Sequence, residues 1–123
     1  MNIRYKFCPQ LETYDQIGLE WLPYIMFSQT KNFRSKTCNT DCFGLRFNNE
    51  TNLKHSNSIF DQTASNNSQD CVIVGSSAAF GVGSTRDETT ISNLLTNKTN
   101  FTFYNLGGRA YNGFQEIITY QSL

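Results

Sequence analysis

Between Asp70 and Gly83 the chain reads DCVIVGSSAAFGVG, and this stretch constrains the fold more than any other. Cys71, Val72, Ile73 and Val74 form an unbroken apolar run that stops at Gly75. A short β-branched run ended by glycine predicts a strand buried on both faces, and such strands are mostly parallel strands covered by helices. Two serines, two alanines and Phe80 follow, before Gly81 and Gly83. They predict a tight strand-to-helix turn with a serine hydroxyl at the carboxyl end of the strand, where open parallel sheets place their ligands. Ser76 and Ser77 are each either a nucleophile or a turn residue.

The residues downstream continue the alternation. Thr85 and Glu88 have capping-box spacing, and Ile91, Leu94 and Leu95 recur at helical intervals, predicting a helix over 88–96. Phe101 to Leu106 is aromatic and β-prone, and Gly107-Gly108 ends it. After a second loop, Phe114, Ile117 and Ile118 begin a further helix. Strand, helix, strand, helix is the order of a parallel α/β sheet with right-handed crossovers.

Upstream signals are weaker. Leu11, Tyr14, Leu19 and Leu22 predict a short helix ended by Pro23, and Tyr24 to Phe27 is a short apolar piece. Residues 35–47 read as two extended pieces about an Asn39-Thr40-Asp41 turn, a packed arm or hairpin. Residues 48–70 are dominated by Asn, Ser, Gln and Thr, with Leu53, Ile59 and Phe60 as a short anchor. The only histidine, His55, falls there and reads as a solvated linker residue. The expected organisation is an arm over 1–47, a polar linker over 48–70 and an α/β unit over 71–123.

Composition bounds the function. A chain of 123 residues is one domain, and ten basic against ten acidic side chains give a net charge of zero. That balance argues against nucleic acid and anionic membranes as partners. No apolar run is long enough to cross a membrane, and Met1 to Pro9 lacks the apolar core of a secretion signal, so a cytoplasmic location is expected. Cys38 and Cys42 have no second pair or patterned histidine to complete a zinc site. The four cysteines, Cys8, Cys38, Cys42 and Cys71, read as reduced thiols, and neither metal nor cofactor is expected.

The two loops carry the chemistry. The turn after the first strand offers free N–H groups for an oxyanion, and Gly107, Gly108 and Ala110 let a substrate approach the second loop. A plain glycine-rich turn explains the same residues equally well. A phosphate-binding P-loop is a weaker reading, because no lysine lies between Asp70 and Lys98. A dinucleotide fingerprint is weaker too, because Arg86 stands where its third glycine belongs, and a generic anion site at the turn stays open.

Gly75-Ser76-Ser77-Ala78-Ala79-Phe80-Gly81 resembles the first block of the SGNH (GDSL-like) hydrolases, and Asn105-Leu106-Gly107-Gly108-Arg109-Ala110 resembles their second. The segment from Asn39 to Arg46 is similar to the arm before this domain in some bacterial members encoded near surface-polysaccharide genes. The resemblance implies a three-layer α/β/α sandwich with a flavodoxin-like parallel sheet, and no metal or cofactor. It implies serine-dependent hydrolysis of a small-molecule or carbohydrate ester, with Ser77 as nucleophile and the N–H groups of Ser77 and Ala110 as oxyanion donors.

Within the motifs, Ser76 replaces the family's aspartate and Ala110 replaces a glycine. An alanine resists a positive φ if the loop requires one. The family's third block and its Asp-x-x-His acid–base pair are not among these residues, and His55 lies on the wrong side of Ser77 to correspond to the base. The chain is therefore expected to be the N-terminal half of such a domain, inactive alone and self-associating through an open sheet edge. The alternatives are a non-catalytic α/β module that binds an anion or partner, and a truncated product without activity.

Overall fold

The computed structural model describes residues 2–49, 53–54, 56–61 and 69–122. His55, residues 62–68 of the expected linker and Leu123 lie outside the described residues. The described residues form a mixed α/β structure with two small sheets. In chain order the elements are α1 (Ile3–Phe7), α2 (Leu11–Gln16), β1 (Leu19–Leu22), β2 (Met26–Gln29), β3 (Gln69–Ile73), α3 (Ser77–Phe80), α4 (Ile91–Lys98), β4 (Phe101–Asn105) and α5 (Gly113–Gln121). Short 3-10 turns cover Ile59–Asp61 and Asp87–Thr89.

β1 and β2 pair antiparallel, with Leu19 opposite Gln29 and Leu22 opposite Met26. The expected helix over 11–22 therefore stops at Gln16, and its second half is a strand. Gly18 follows Ile17, which has already left the helix, and the apolar spacing beyond it serves a strand as well as a helix. Pro23 ends the strand instead of a helix. The hairpin turn places Tyr24 and Met26 at φ 67 and 72, a left-handed conformation that such bulky residues rarely adopt.

β3 and β4 pair parallel from Gln69–Phe101 to Ile73–Asn105, with α4 as the crossover. That is the expected βαβ order. Burial of β3 on both faces is overturned: Val72 is 37% exposed and Val74 43%. β3 has one neighbouring strand among the described residues, and its Val72 face is only partly covered.

The helices differ from expectation in their starts and faces. α4 begins after Thr90, whose hydroxyl accepts the Asn93 N–H, so the Thr85–Glu88 box does not cap it. Asp87, inside that box, is instead drawn into the interior. α4 buries Ser92 and Asn93 and exposes Ile91 and Leu94. α5, capped by the Asn112 side chain, buries Gln115 and Thr119 and exposes Phe114 and Ile117. Both helices thus turn polar residues inward, where hydrogen bonds of Ser92, Asn93 and Gln115 replace the apolar contacts that their spacing predicts.

Two buried clusters hold the structure, and each joins distant parts of the chain. Leu45 and Phe47 pack with Ile59, Tyr104 and Leu106. Tyr14, Ile17 and Cys38 pack with Phe80. Burying side chains of this size contributes about 1.5–3 kcal/mol each. Asp41 draws in the short anchor of the expected linker, because its Oδ2 accepts from the Ile59 N–H at 3.0 Å and the Ser58 hydroxyl at 3.3 Å. Its Oδ1 takes the N–H groups of Phe43 and Leu45, both at 2.9 Å, which sets the turn at 41–44 instead of 39–41. Thr40 and Arg46 face each other across that turn as an antiparallel bridge. No described helix is long and apolar enough to cross a membrane.

Candidate functional site

The loops after β3 and β4 meet because their strands are parallel neighbours. The ladder runs past the strand ends: Leu106 N–H donates to the Ile73 carbonyl at 2.9 Å, and Gly108 N–H to the Gly75 carbonyl at 3.0 Å. A Cβ at Gly107 would collide with the backbone of Ala79 and Phe80, so only glycine lets α3 approach this closely. Asn105 shapes the second loop from inside. Its Oδ1 accepts the Gly107 N–H at 3.0 Å, and its Nδ2 lies 3.4 Å from Ser92 Oγ. Ser92 Oγ donates to Asn48 Oδ1 at 2.7 Å, and Asn48 Nδ2 donates to the Phe103 carbonyl at 2.6 Å. The Asn-x-Gly signal thus has a structural cause in this chain.

Ser77 is the first residue of α3, and Ser76 is its N-cap without a side-chain cap bond. Ser77 is half-buried and Ser76 exposed. Ser77, Ala110, Arg109, Tyr14, Asp15 and Val82 line one open cavity of about 220 Å³. The structure therefore brings together Ser77 and Ala110, the two residues singled out from the motifs, and leaves Ser76 off the cavity wall. Among the described residues, neither the Ser77 N–H nor the Ala110 N–H has an acceptor, and the Ser77 hydroxyl has no partner. Ala110 sits at φ 60, the left-handed conformation that a glycine would take without strain.

The C-terminal end of α3 is held by side chains far away in sequence. Gly81 closes the helix at φ 87, and a Cβ there would stand 3.0 Å from both Arg46 Nη1 and the Thr90 methyl. Arg46 Nη1 donates to the Phe80 carbonyl at 3.1 Å and to the Gly81 carbonyl at 2.8 Å. The Tyr14 hydroxyl is 2.9 Å from the Gly81 carbonyl and 2.8 Å from that of Ser84. The Arg46 guanidinium lies between the rings of Tyr14 and Phe80, 5.5 Å from each centroid. Its Nε donates to Asp87 Oδ1 at 2.8 Å, and its Nη2 to the Thr37 carbonyl at 2.9 Å. Asn39 Nδ2 donates to the other oxygen of Asp87 at 2.7 Å.

Burial dominates the electrostatics of this cluster. It pushes the Tyr14 phenol up to about 12, against the pull of the Arg46 charge. It pushes the Cys38 thiol up to about 12 for the same reason. Asp87 is also raised by burial, with Arg46 and Asn39 pulling the other way. These groups build the floor under α3 and do not line the Ser77 cavity, apart from Tyr14.

Sequence reasoning did not single out Asp15 and Arg109 as cavity residues. Arg109 Nη1 donates to the Tyr14 carbonyl, which ties the second loop to α2. Asp15 Oδ2 accepts from the Tyr5 hydroxyl at 2.8 Å and lies 3.4 Å from Arg4 Nη1. No group of three His, Cys, Asp or Glu among the described residues is placed to hold a metal ion. No protein-family model and no curated protein matches the chain.

Proposed function

We propose that the loops after β3 and β4 form the acyl-transfer site of an SGNH-type serine ester hydrolase, built on a flavodoxin-like parallel sheet in a three-layer α/β/α sandwich. The observation that carries this reading is the shared cavity of Ser77 and Ala110, whose N–H groups have no acceptor among the described residues. Ser77 Oγ attacks the ester carbonyl, and its proton passes to a general base. The two N–H groups take the developing oxyanion, an interaction worth roughly 10²–10³ in kcat per donor. Collapse of the tetrahedral intermediate leaves the acyl group on Ser77 and releases the alcohol with a proton. Water then frees the acid by the same steps. An acylated carbohydrate is the favoured substrate class by resemblance alone.

The resemblance assigns the base to a later block of the family, and among the described residues no base bonds to the Ser77 hydroxyl. Removing the histidine of a serine triad costs about 10⁶ in kcat, so these residues alone turn over no ester usefully. In the protein as its source cell makes it, Ser77→Ala abolishes acetate release from acetylated oligosaccharides and Ser76→Ala retains it. Retention by Ser77→Ala and loss by Ser76→Ala overturns the assignment.

Arg109 on the cavity wall favours a second reading, a non-catalytic module that binds an anion or partner there. It predicts no acetate release by the unmutated protein.

A further inference from the structure

The β1–β2 hairpin reaches the Ser77 cavity through Leu19, the first residue of β1, which lines it. Residues two apart on a strand point to the same face, so Trp21 stands beside Leu19, about 7 Å further along. Opposed residues of an antiparallel pair also share a face, which adds Gln29 opposite Leu19 and Phe27 opposite Trp21. Two contacts turn this face toward the second loop of the site. Gln29 Nε2 lies 3.5 Å from the Arg109 carbonyl oxygen, and the Phe27 ring centroid is 6.3 Å from that of Tyr111. Trp21 therefore stands on the flank of the Ser77 cavity.

Trp21 is 74% exposed, and its indole N–H has no partner among the described residues. An open indole gains little from an alkyl chain, which needs a groove to enclose it. It suits a ring that lays partly positive C–H groups on the negative aromatic face. The polar groups of the cavity favour the same class of ligand. Its charged lining residues are Asp15 and Arg109, one of each sign, so the lining selects neither an anion nor a cation. Both keep unused capacity: Asp15 takes the Tyr5 hydroxyl and Arg4 on Oδ2 alone, and Arg109 donates from Nη1 alone. Hydroxyl groups donate and accept, and so match a carboxylate and a guanidinium in one cavity. A body with a C–H face, several hydroxyls and no net charge is a neutral sugar.

We propose that the face of Leu19 and Trp21 is the sugar subsite of the Ser77 cavity, with the Trp21 indole as the platform on which a neutral sugar ring stacks. The inference rests on the Ser77 reading for the position of the ester, and it makes Trp21 a specificity determinant outside the reacting atoms.

The test takes the protein as its source cell makes it, with Ser77→Ala to stop turnover, and titrates it with neutral tetrasaccharides of glucose, mannose, xylose and N-acetylglucosamine. At least one binds saturably and shifts tryptophan emission, Trp21 being the one tryptophan of residues 1–123. In calorimetry Trp21→Ala weakens that binding about tenfold or more, while Trp21→Tyr retains most of it and loses the emission change. Trp21 is exposed, so both variants keep the circular dichroism spectrum. Sugar binding through Trp21, with no acetate release by the protein that retains Ser77, upholds the subsite and removes the hydrolase reading. Acetate release with sugar binding untouched by Trp21→Ala removes the subsite and leaves the hydrolase reading standing. Absence of saturable binding by all of these sugars, or octanol producing the emission change in their place, overturns the proposal.

Discussion

Arg46 Nε donates to Asp87 Oδ1 at 2.8 Å, in an ion pair whose side chains are 0% and 2% exposed. The pair joins the segment before the linker to the segment after the Ser77 turn. The same guanidinium caps the carbonyls of Phe80 and Gly81, which terminate the helix that carries Ser77. Helix C-termini leave carbonyls without partners, and a buried end must find donors elsewhere. Arg46 is that donor here, and Asp87 offsets its charge.

Removing one member of such a pair leaves the other charge buried. Arg46→Met therefore costs about 3–5 kcal/mol, read as a shift in the urea midpoint at unchanged slope. Arg46→Lys does not rescue it, because an ammonium cannot reach the same acceptors from one planar fork. The double variant Arg46→Met, Asp87→Leu recovers part of the loss. Equal midpoints for the single variant and the unmutated protein would show that the pair does not hold the turn.

Ala110 stores strain. A left-handed alanine costs roughly 1–2 kcal/mol, partly offset in a glycine variant by about 0.5–1 kcal/mol of added chain entropy. Ala110→Gly is therefore expected to stabilise the protein by about 0.5–1 kcal/mol in the same urea experiment. A destabilised variant would place Ala110 outside the left-handed region.

Buried thiol and phenol groups make the fold sensitive to alkali. Cys38 is raised from its ordinary 9.0 to about 12, and Tyr14 from 10.0 to about 12. A folded-state value above the unfolded one means that the contribution is fully present below pH 9 and is lost as pH rises toward 12. Each pH unit inside the window costs up to about 1.4 kcal/mol per group. Thermal melts between pH 8 and 11 should fall in midpoint, and Cys38→Ala should fall less steeply. Identical slopes would remove Cys38 as a cause.

The outer surface carries apolar residues that the described residues do not cover. Val72 in β3 and Val74 just after it, Ile91 and Leu94 on α4, and Phe114 and Ile117 on α5 are all exposed. An open strand edge beside such patches promotes association. The chain should sediment with concentration-dependent mass, and Val72→Lys should shift it toward monomer. A monomer with one sharp cooperative melt would contradict this.

The parallel βαβ order was legible because the chain carries local signals: an aromatic run and a glycine stop for β4, and apolar residues at helical spacing on either side of it. The meeting of Ser77 and Ala110 was legible because two short motifs each follow a strand. The outward apolar faces of α4 and α5 were not, since periodicity says which residues share a face and not what lies opposite. Asn48, Ser92 and Asn105 reverse the expectation for α4 through bonds between residues remote in sequence. Arg46 was hidden for the same reason: a lone arginine between Leu45 and Phe47 reads as surface until Asp87 and two carbonyls are placed around it. The strand over Leu19–Leu22 was ambiguous because four residues fit either period.

The central claim is that Ser77 is the nucleophile. Fluorophosphonate labelling of the protein as its source cell makes it, followed by mapping of the modified peptide, tests it most directly. The account predicts a covalent adduct on Ser77 that Ser77→Ala abolishes and Ser76→Ala leaves in place. An unlabelled protein, or an adduct on Ser76, would contradict it.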